Sequence, residues 1–241
     1  MSAQHFLYGV LAIGLGSCNS AENTSASRAL NTDVKIAGAM KNVMWKGKLE
    51  GSIKLDTIAT KRGLYGLGPE SFLTGELLIN NGRSYVSRVT SDSTMAVEKS
   101  FNVSAPFFVY SHVNAWHETD LPERVKTIMD LEKFIDEKTA SAKRPFAFKV
   151  SGTVAHAVIH IQNLPPGTKV SSPDEAHQGQ INYVLKNEDV EIIGFFSTAH
   201  KGIFTHHDSF LHMHLMTQDE KKMGHLDSVE FEKVTLYLPA E

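Results

Sequence analysis

Ser209-Phe210-Leu211-His212-Met213-His214-Leu215, followed after a polar run by Gly224-His225-Leu226-Asp227, is the stretch on which the reading of this chain turns. Apolar and other residues alternate through it, which is the period of a β-strand. On such a strand Phe210, His212, His214 and Met216 share one face, while Leu211, Met213 and Leu215 share the other. The polar run Thr217 to Lys222 reads as a turn, so a strand returning from about Gly224 brings His225 back beside His214. Three imidazoles then converge. Three protein nitrogens leave a coordination position free, the pattern of a catalytic rather than a closed structural zinc site. His212, His214 and His225 are therefore the candidate metal ligands and Zn2+ the candidate cofactor. Six of the twelve histidines lie between His200 and His225, with His206 and His207 read as solvated neighbours.

The rest of the composition narrows the partners. A formal charge of −3 with dispersed Lys and Arg offers no basic stripe, which argues against nucleic acid and leaves a small molecule as the default ligand. An apolar segment from Phe6 to Leu15 is short for a membrane span and is followed by Leu15-Gly16-Ser17-Cys18. This resembles a bacterial lipoprotein signal, although no Lys or Arg precedes the apolar run. The resemblance implies a signal segment over 1–18, a lipid anchor at Cys18 as the sole membrane contact, and a place in the cell envelope on the periplasmic or outer face. The other reading of the segment is a buried strand or helix of a cytoplasmic protein. Residues 19–30, rich in Ser, Asn and Thr, read as a flexible tether.

Along the chain, Val34 to Met40 and Leu49 to Leu55 read as strands around a turn at Trp45-Lys46-Gly47-Lys48. Gly63-Leu64-Tyr65-Gly66-Leu67-Gly68-Pro69 reads as a glycine-rich loop serving tight packing, since it matches no nucleotide-binding fingerprint. Phe72 to Ile79 and Tyr85 to Thr90 flank Asn80-Asn81-Gly82 and predict a hairpin. Glu76 lies inside the first of these strands. It is either a solvent-facing edge residue or a buried carboxyl with a task, because an unpaired buried charge is costly. Leu121 to Lys138 predicts a helix, with Pro122 in its first turn, covering the first sheet. A boundary near Lys143-Arg144-Pro145 divides the chain into 31–142 and 143–241. Beyond it, His156 and His160 share a strand face that either looks into a site or faces solvent.

Taken in order, Gly66-Leu67-Gly68, Gly75-Glu76-Leu77, Ala105-Pro106-Phe107, Pro145-Phe146-Ala147-Phe148, Ile193-Gly194-Phe195-Phe196, His212-x-His214 and Gly224-His225 resemble alpha-acetolactate decarboxylase over about Ile53 to Phe231. The resemblance implies an α/β (α+β) fold of two domains. The first is a mixed β-sheet with a covering helix, and the second is a barrel-like β domain carrying the metal site. It implies zinc at His212, His214 and His225, a glutamate at Glu76 that reaches the active site, and a carbon–carbon lyase converting acetolactate to acetoin and carbon dioxide. The implied substrate class is a small 2-hydroxy-3-oxo acid, and a homodimer is an assembly the reading allows. The chain departs from the family where His160 stands at an arginine position and Pro69 at a threonine; the family's C-terminal glutamate finds no match. His160 is accordingly the candidate group for the substrate carboxylate, beside Glu76 as the proton-handling residue. Two other readings stay open: a non-catalytic metal- or ligand-binding envelope lipoprotein of the same fold, and a cupin-like metal enzyme, whose glutamate would fall where Gln218 and Asp219 stand.

Overall fold

In the computed structural model, Met1 and residues 33–240 are described. Apart from Met1, the lipoprotein-like segment ending at Cys18 and the whole of the tether over 19–30 lie outside the described residues. The elements run in the order β1 (Val34–Gly38), α1 (Met40–Lys46), β2 (Ile53–Lys54), β3 (Leu64–Pro69), β4 (Glu76–Asn80), β5 (Arg83–Ser91), β6 (Thr94–Lys99), β7 (Ser104–Ala105), β8 (Phe107–His112), β9 (Trp116–Asp120), α2 (Ile128–Lys138), β10 (Phe146–Ile161), α3 (Pro173–Ala176), β11 (Ile181–Phe196), β12 (Leu211–Thr217) and β13 (Met223–Pro239). The protein is mostly β with few helices, an α+β fold.

One sheet has the order β1-β8-β3-β4-β5-β6 and the other β10-β11-β12-β13-β9. In the second, β10 also pairs with β13, so the pairings of β10, β11, β12 and β13 close on themselves. All strand-to-strand pairings among the described residues are antiparallel, which corrects the expected mixed sheet. The reason is connectivity: chain reversals such as β4 to β5 and β12 to β13 are tight, whereas a parallel neighbour needs a long crossover. At the first of these, Asn81 and Gly82 both take positive φ (47° and 78°), the backbone that an Asn-Gly hairpin turn requires.

Several local expectations shift. The stretch Gly63 to Pro69 forms strand β3 instead of a loop, and its missing side chains leave room for Phe107 and Phe108 of β8. Residues 40–46 are helical where a strand and turn were expected, and the helix ends at Gly47 with φ of 58°. The long helix begins at Ile128, because Thr127 and Asp130 close a capping box there. Its buried Leu131 and Ile135 join the core of the second sheet with Phe146, Val150 and Leu236, so it covers that sheet and not the first. Strand β9, from before residue 142, likewise pairs with β13.

The alternation on β12 separates two cores. Leu211, Met213 and Leu215 pack inside the closed set of strands with Phe148, Ile159 and Leu226. Met216, with Ile193 and Phe195 of β11, packs instead against Tyr65, Leu67, Leu78 and Val109 of the first sheet. The histidine face of β12 therefore looks into the seam between the two sheets.

Candidate active site

Cross-strand pairing assembles the cluster. His214 of β12 lies directly opposite His225 of β13, and His225 lies opposite His160 of β10, so one row of the sheet carries three imidazoles. Directly paired residues point to the same side of a sheet. His212, two positions before His214, joins them by strand alternation. Ring centres of His212, His214 and His225 are 5.1, 5.2 and 5.6 Å apart. Three imidazoles sharing one ion through nitrogens about 2.0–2.1 Å from it would have centres roughly 5 Å apart, so the rings are near enough for a common metal, although the group whose ligand atoms already lie together is His160, His225 and Asp227.

The electronic state of the rings suits it as well. His212, His214 and His225 are buried, and burial, followed by the proximity of the other histidines, holds their pKa values below the ordinary range. A neutral imidazole has a lone pair to give. Nδ1 of His212 and both ring nitrogens of His214 lack a hydrogen bond of ordinary geometry. Buried nitrogens without partners are expensive, and a metal ion is one way to satisfy them.

The first sheet contributes Glu76 across the seam. Only 3% of its surface is exposed, which settles the choice between an edge residue and a buried one. Its Oε2 is 3.5 Å from His214 Nε2, and its Oε1 accepts a hydrogen bond from the Gln162 backbone at 3.3 Å. Burial is the main cause that raises the Glu76 pKa well above the carboxylate range; the Gln162 N–H opposes it, and the charges of Asp227 and Glu70 add to it. The site thus contains a carboxyl able to hold a proton.

His160 is buried, and its Nδ1 lies 2.7 Å from Asp227 Oδ1. Asp227 Oδ1 is also 3.2 Å from His225 Nδ1, and the His160 and His225 rings stack at 4.6 Å. Burial works against the charged form of Asp227, but the hydrogen bonds from His160 and His225 prevail and hold its pKa well below the usual range. With Nδ1 of each ring turned to this carboxylate, Nε2 of each is left for other work. His160, His225 and Asp227 also form a compact group whose potential ligand atoms all lie within 4.8 Å of one another, so the region is a His/Asp cluster with the capacity to hold a metal. Among the histidines expected to look into the site, His160 does so, whereas no contact joins His156 to the cluster.

Three participants were not singled out from sequence. Asp227 could have been found, since it follows His225 by two positions on one strand face. Gln162 meets Glu76 through its backbone and His160 through its side-chain amide, 3.4 Å from His160 Nε2, and its position two residues after His160, continuing the alternation of that strand, was the available signal. His206, read as a solvated neighbour, is in fact half-buried, with its Nε2 2.9 Å from His225 Nε2. Glu76, His160, Gln162, His206, His212 and His225 line a small space of about 30 Å³. A wider cleft of about 640 Å³, bordered by α2, reaches His206, His212, His225 and Asp227 from the other side.

Comparison with known proteins bears on the family and the fold. The alpha-acetolactate decarboxylase of Brevibacillus brevis is 25% identical over 196 residues, covering 81% of this chain and 66% of that protein. The enzyme of the same name from Methanosarcina mazei is 25% identical over 204 residues, covering 84% and 67%. The chain thus spans about two thirds of the length of these curated relatives. In fold it is similar to the crystal structure of alpha-acetolactate decarboxylase from Bacillus subtilis strain 168, with a TM-score of 0.70, 23% identity and coverage of 86% and 85%. The sequence profile described as "Alpha-acetolactate decarboxylase" matches residues 37–240, which takes in every site residue described above, and the chain belongs to that family.

Proposed function

We propose that this protein is a zinc-dependent decarboxylase of small 2-hydroxy-3-oxo acids, with acetolactate as the reference substrate and acetoin and carbon dioxide as products. The observation that carries the reading is a buried Glu76 carboxyl set 3.5 Å from His214 in a cluster of buried imidazoles, where burial favours the protonated carboxyl and the neutral rings. His212, His214 and His225 would hold the ion. They are preferred to the His160, His225 and Asp227 set because Asp227 and His160 already satisfy each other at 2.7 Å, whereas His214 Nε2 has only the longer 3.5 Å approach of Glu76. A bound zinc would supply Lewis-acid stabilisation of the negative charge that develops as carbon dioxide leaves.

In the reaction, the bond between the carbinol carbon and the carboxylate breaks, and its electron pair passes toward the neighbouring ketone. Glu76 then delivers its proton to the carbon that lost the carboxylate, giving the hydroxyketone, and regains a proton from solvent. The Gln162 N–H fixes Oε1 and leaves Oε2 directed at the cluster. His160 faces the same small space; with Nδ1–H held by Asp227, it can donate from Nε2 to the substrate carboxylate only as the doubly protonated imidazolium. Burial of Glu76 and His214 strengthens the interactions made there.

The test is metal analysis of purified protein followed by acetoin formation from racemic acetolactate. Stoichiometric zinc that disappears in His214→Ala, together with acetoin production, supports the reading. Zinc-loaded protein inert toward acetolactate would favour the alternative, a metal-binding envelope lipoprotein without catalysis; the small free volume of about 30 Å³ is the one observation on its side. Lipid anchoring at Cys18 is part of the proposal on sequence grounds, and Cys18→Ser should release the protein from membranes. Equal membrane fractions for both forms would remove that part.

A further inference from the structure

We propose that His206 is a fourth, exchangeable nitrogen ligand of the metal, closing the site at rest and leaving it when a small anion enters. The inference rests on the metal reading of His212, His214 and His225 given above. Its basis is the contact between His206 Nε2 and His225 Nε2, which are 2.9 Å apart. Two nitrogen lone pairs that close repel unless a proton or a cation lies between them. His225 turns Nδ1 to the Asp227 carboxylate, so its own proton sits there and its Nε2 is the lone pair. In the metal-free protein the His206 N–H can donate to it. Once His225 Nε2 is given to a metal, that hydrogen bond is impossible, and His206 must either bind the same ion or move away.

Position favours binding the same ion. The His206 ring centre is 4.9 Å from His225 and 5.9 Å from His212, similar to the spacing among the three ligands themselves. Two nitrogens on one zinc are about 3.3 Å apart, close to the separation seen here. With His212 and His225, the ring lines both the small space beside Glu76 and the wide cleft beside α2. Release of His206 would therefore free a coordination position at a point that both spaces reach.

The chain around it is suited to a short local motion. On the N-terminal side the segment is anchored: α1 donates from Met40 and Lys41 to the Ile203 and Gly202 carbonyls, each at 2.8 Å. On the C-terminal side Ser209 Oγ and Phe210 N donate to Glu132 of α2 at 2.6 and 2.8 Å. The buried Phe204 and Thr205 extend the first anchor, with the Gly202 N–H donating to the Thr205 carbonyl at 2.8 Å, so only His206, His207 and Asp208 lie between the two fixed ends and the imidazole can swing there.

Cobalt(II) as the metal probe and azide as the competing anion test the idea in the full-length protein. His206→Ala and His206→Asn should weaken cobalt binding by at least about tenfold. They should also change the cobalt absorption bands and bind azide at least about tenfold more tightly than the wild type does. Two variants guard against a local collapse of the loop, and each is to be read only with a wild-type unfolding curve. Unchanged cobalt and azide affinities in both variants would overturn the proposal while leaving the three-histidine site standing. Failure of the wild type to bind cobalt or zinc at all would overturn this inference and the metal reading together.

Discussion

The β12–β13 hairpin and the seam opposite it reach the same site by different routes. His212, His214 and His225 come from adjacent strands joined by one tight turn, with His214 and His225 as direct cross-strand partners. Glu76 comes from another sheet, and its approach to His214 depends on how Tyr65, Leu67 and Leu78 pack against Ile193, Phe195 and Met216. A cluster of imidazoles can thus be laid down by local alternation, while the buried carboxyl that faces it is placed by packing between layers. The two halves should respond differently to substitution.

The largest expected effect lies on the seam side. Glu76→Gln keeps the size of the side chain and removes the transferable proton, so kcat should fall by about 10²- to 10⁴-fold with zinc content intact. Steady-state rates paired with metal analysis check this. A variant that lost zinc in parallel would show that the two halves are not separable.

Next comes Asp227→Asn, which leaves Nδ1 of His225 and His160 without their carboxylate. Metal affinity should drop by about 10- to 100-fold, read by chelator competition. An unchanged affinity together with a raised KM would confine Asp227 to the His160 side.

Gly194→Ala probes the inner core rather than the site. A Cβ there would come within 2.2–2.7 Å of the Phe148 ring, with which Gly194 pairs across β10 and β11. Stability should fall by about 1–3 kcal/mol in denaturant melts, with metal affinity retained, since the histidines occupy the other face. Loss of metal binding would mean that core packing controls ligand placement.

The pH response separates the halves with the gentlest perturbation. Burial lowers the pKa of His206 from 6.5 to about 4 and lowers those of His212 and His214 as well. The unfolded chain takes up protons that these rings refuse, so metal-free protein should lose stability as pH falls from about 6.5. Glu76 acts in the opposite sense: its raised pKa gives stability that is full below its ordinary value of 4.5 and is lost as pH rises through the folded-state value. Glu76→Gln should therefore steepen the gain in stability between pH 4.5 and 6.5. Superimposable profiles for the two proteins would show that Glu76 is ionised in the fold.

Strand periodicity made the hairpin legible, because on a pleated strand the spacing of two residues decides which face each occupies, whatever lies beyond. It placed His212 and His214 together, brought His225 back, and set the Asn81-Gly82 turn. Glycines and helix caps were harder to read. The glycines at 66 and 68 signal close approach equally well in a loop and in β3, and the start of α2 was set by the Thr127–Asp130 capping box instead of by Pro122. The second sheet's claim on α2 was not legible, since an apolar helix face carries no record of its partner. Alternation likewise says nothing about what a face meets. That Glu76 lies against His214, that Asp227 holds two rings at once, and that His206 closes on His225 were decided by packing between segments far apart in sequence. The amino-acid sequence by itself determined the family, through an ordered series of motifs, and the strand faces that turn His212, His214 and His225 to one side, which follow from short-range spacing. Only the tertiary structure decided the protonation-setting environment of the site, because burial and charge contacts arise from the meeting of two sheets that no local pattern encodes.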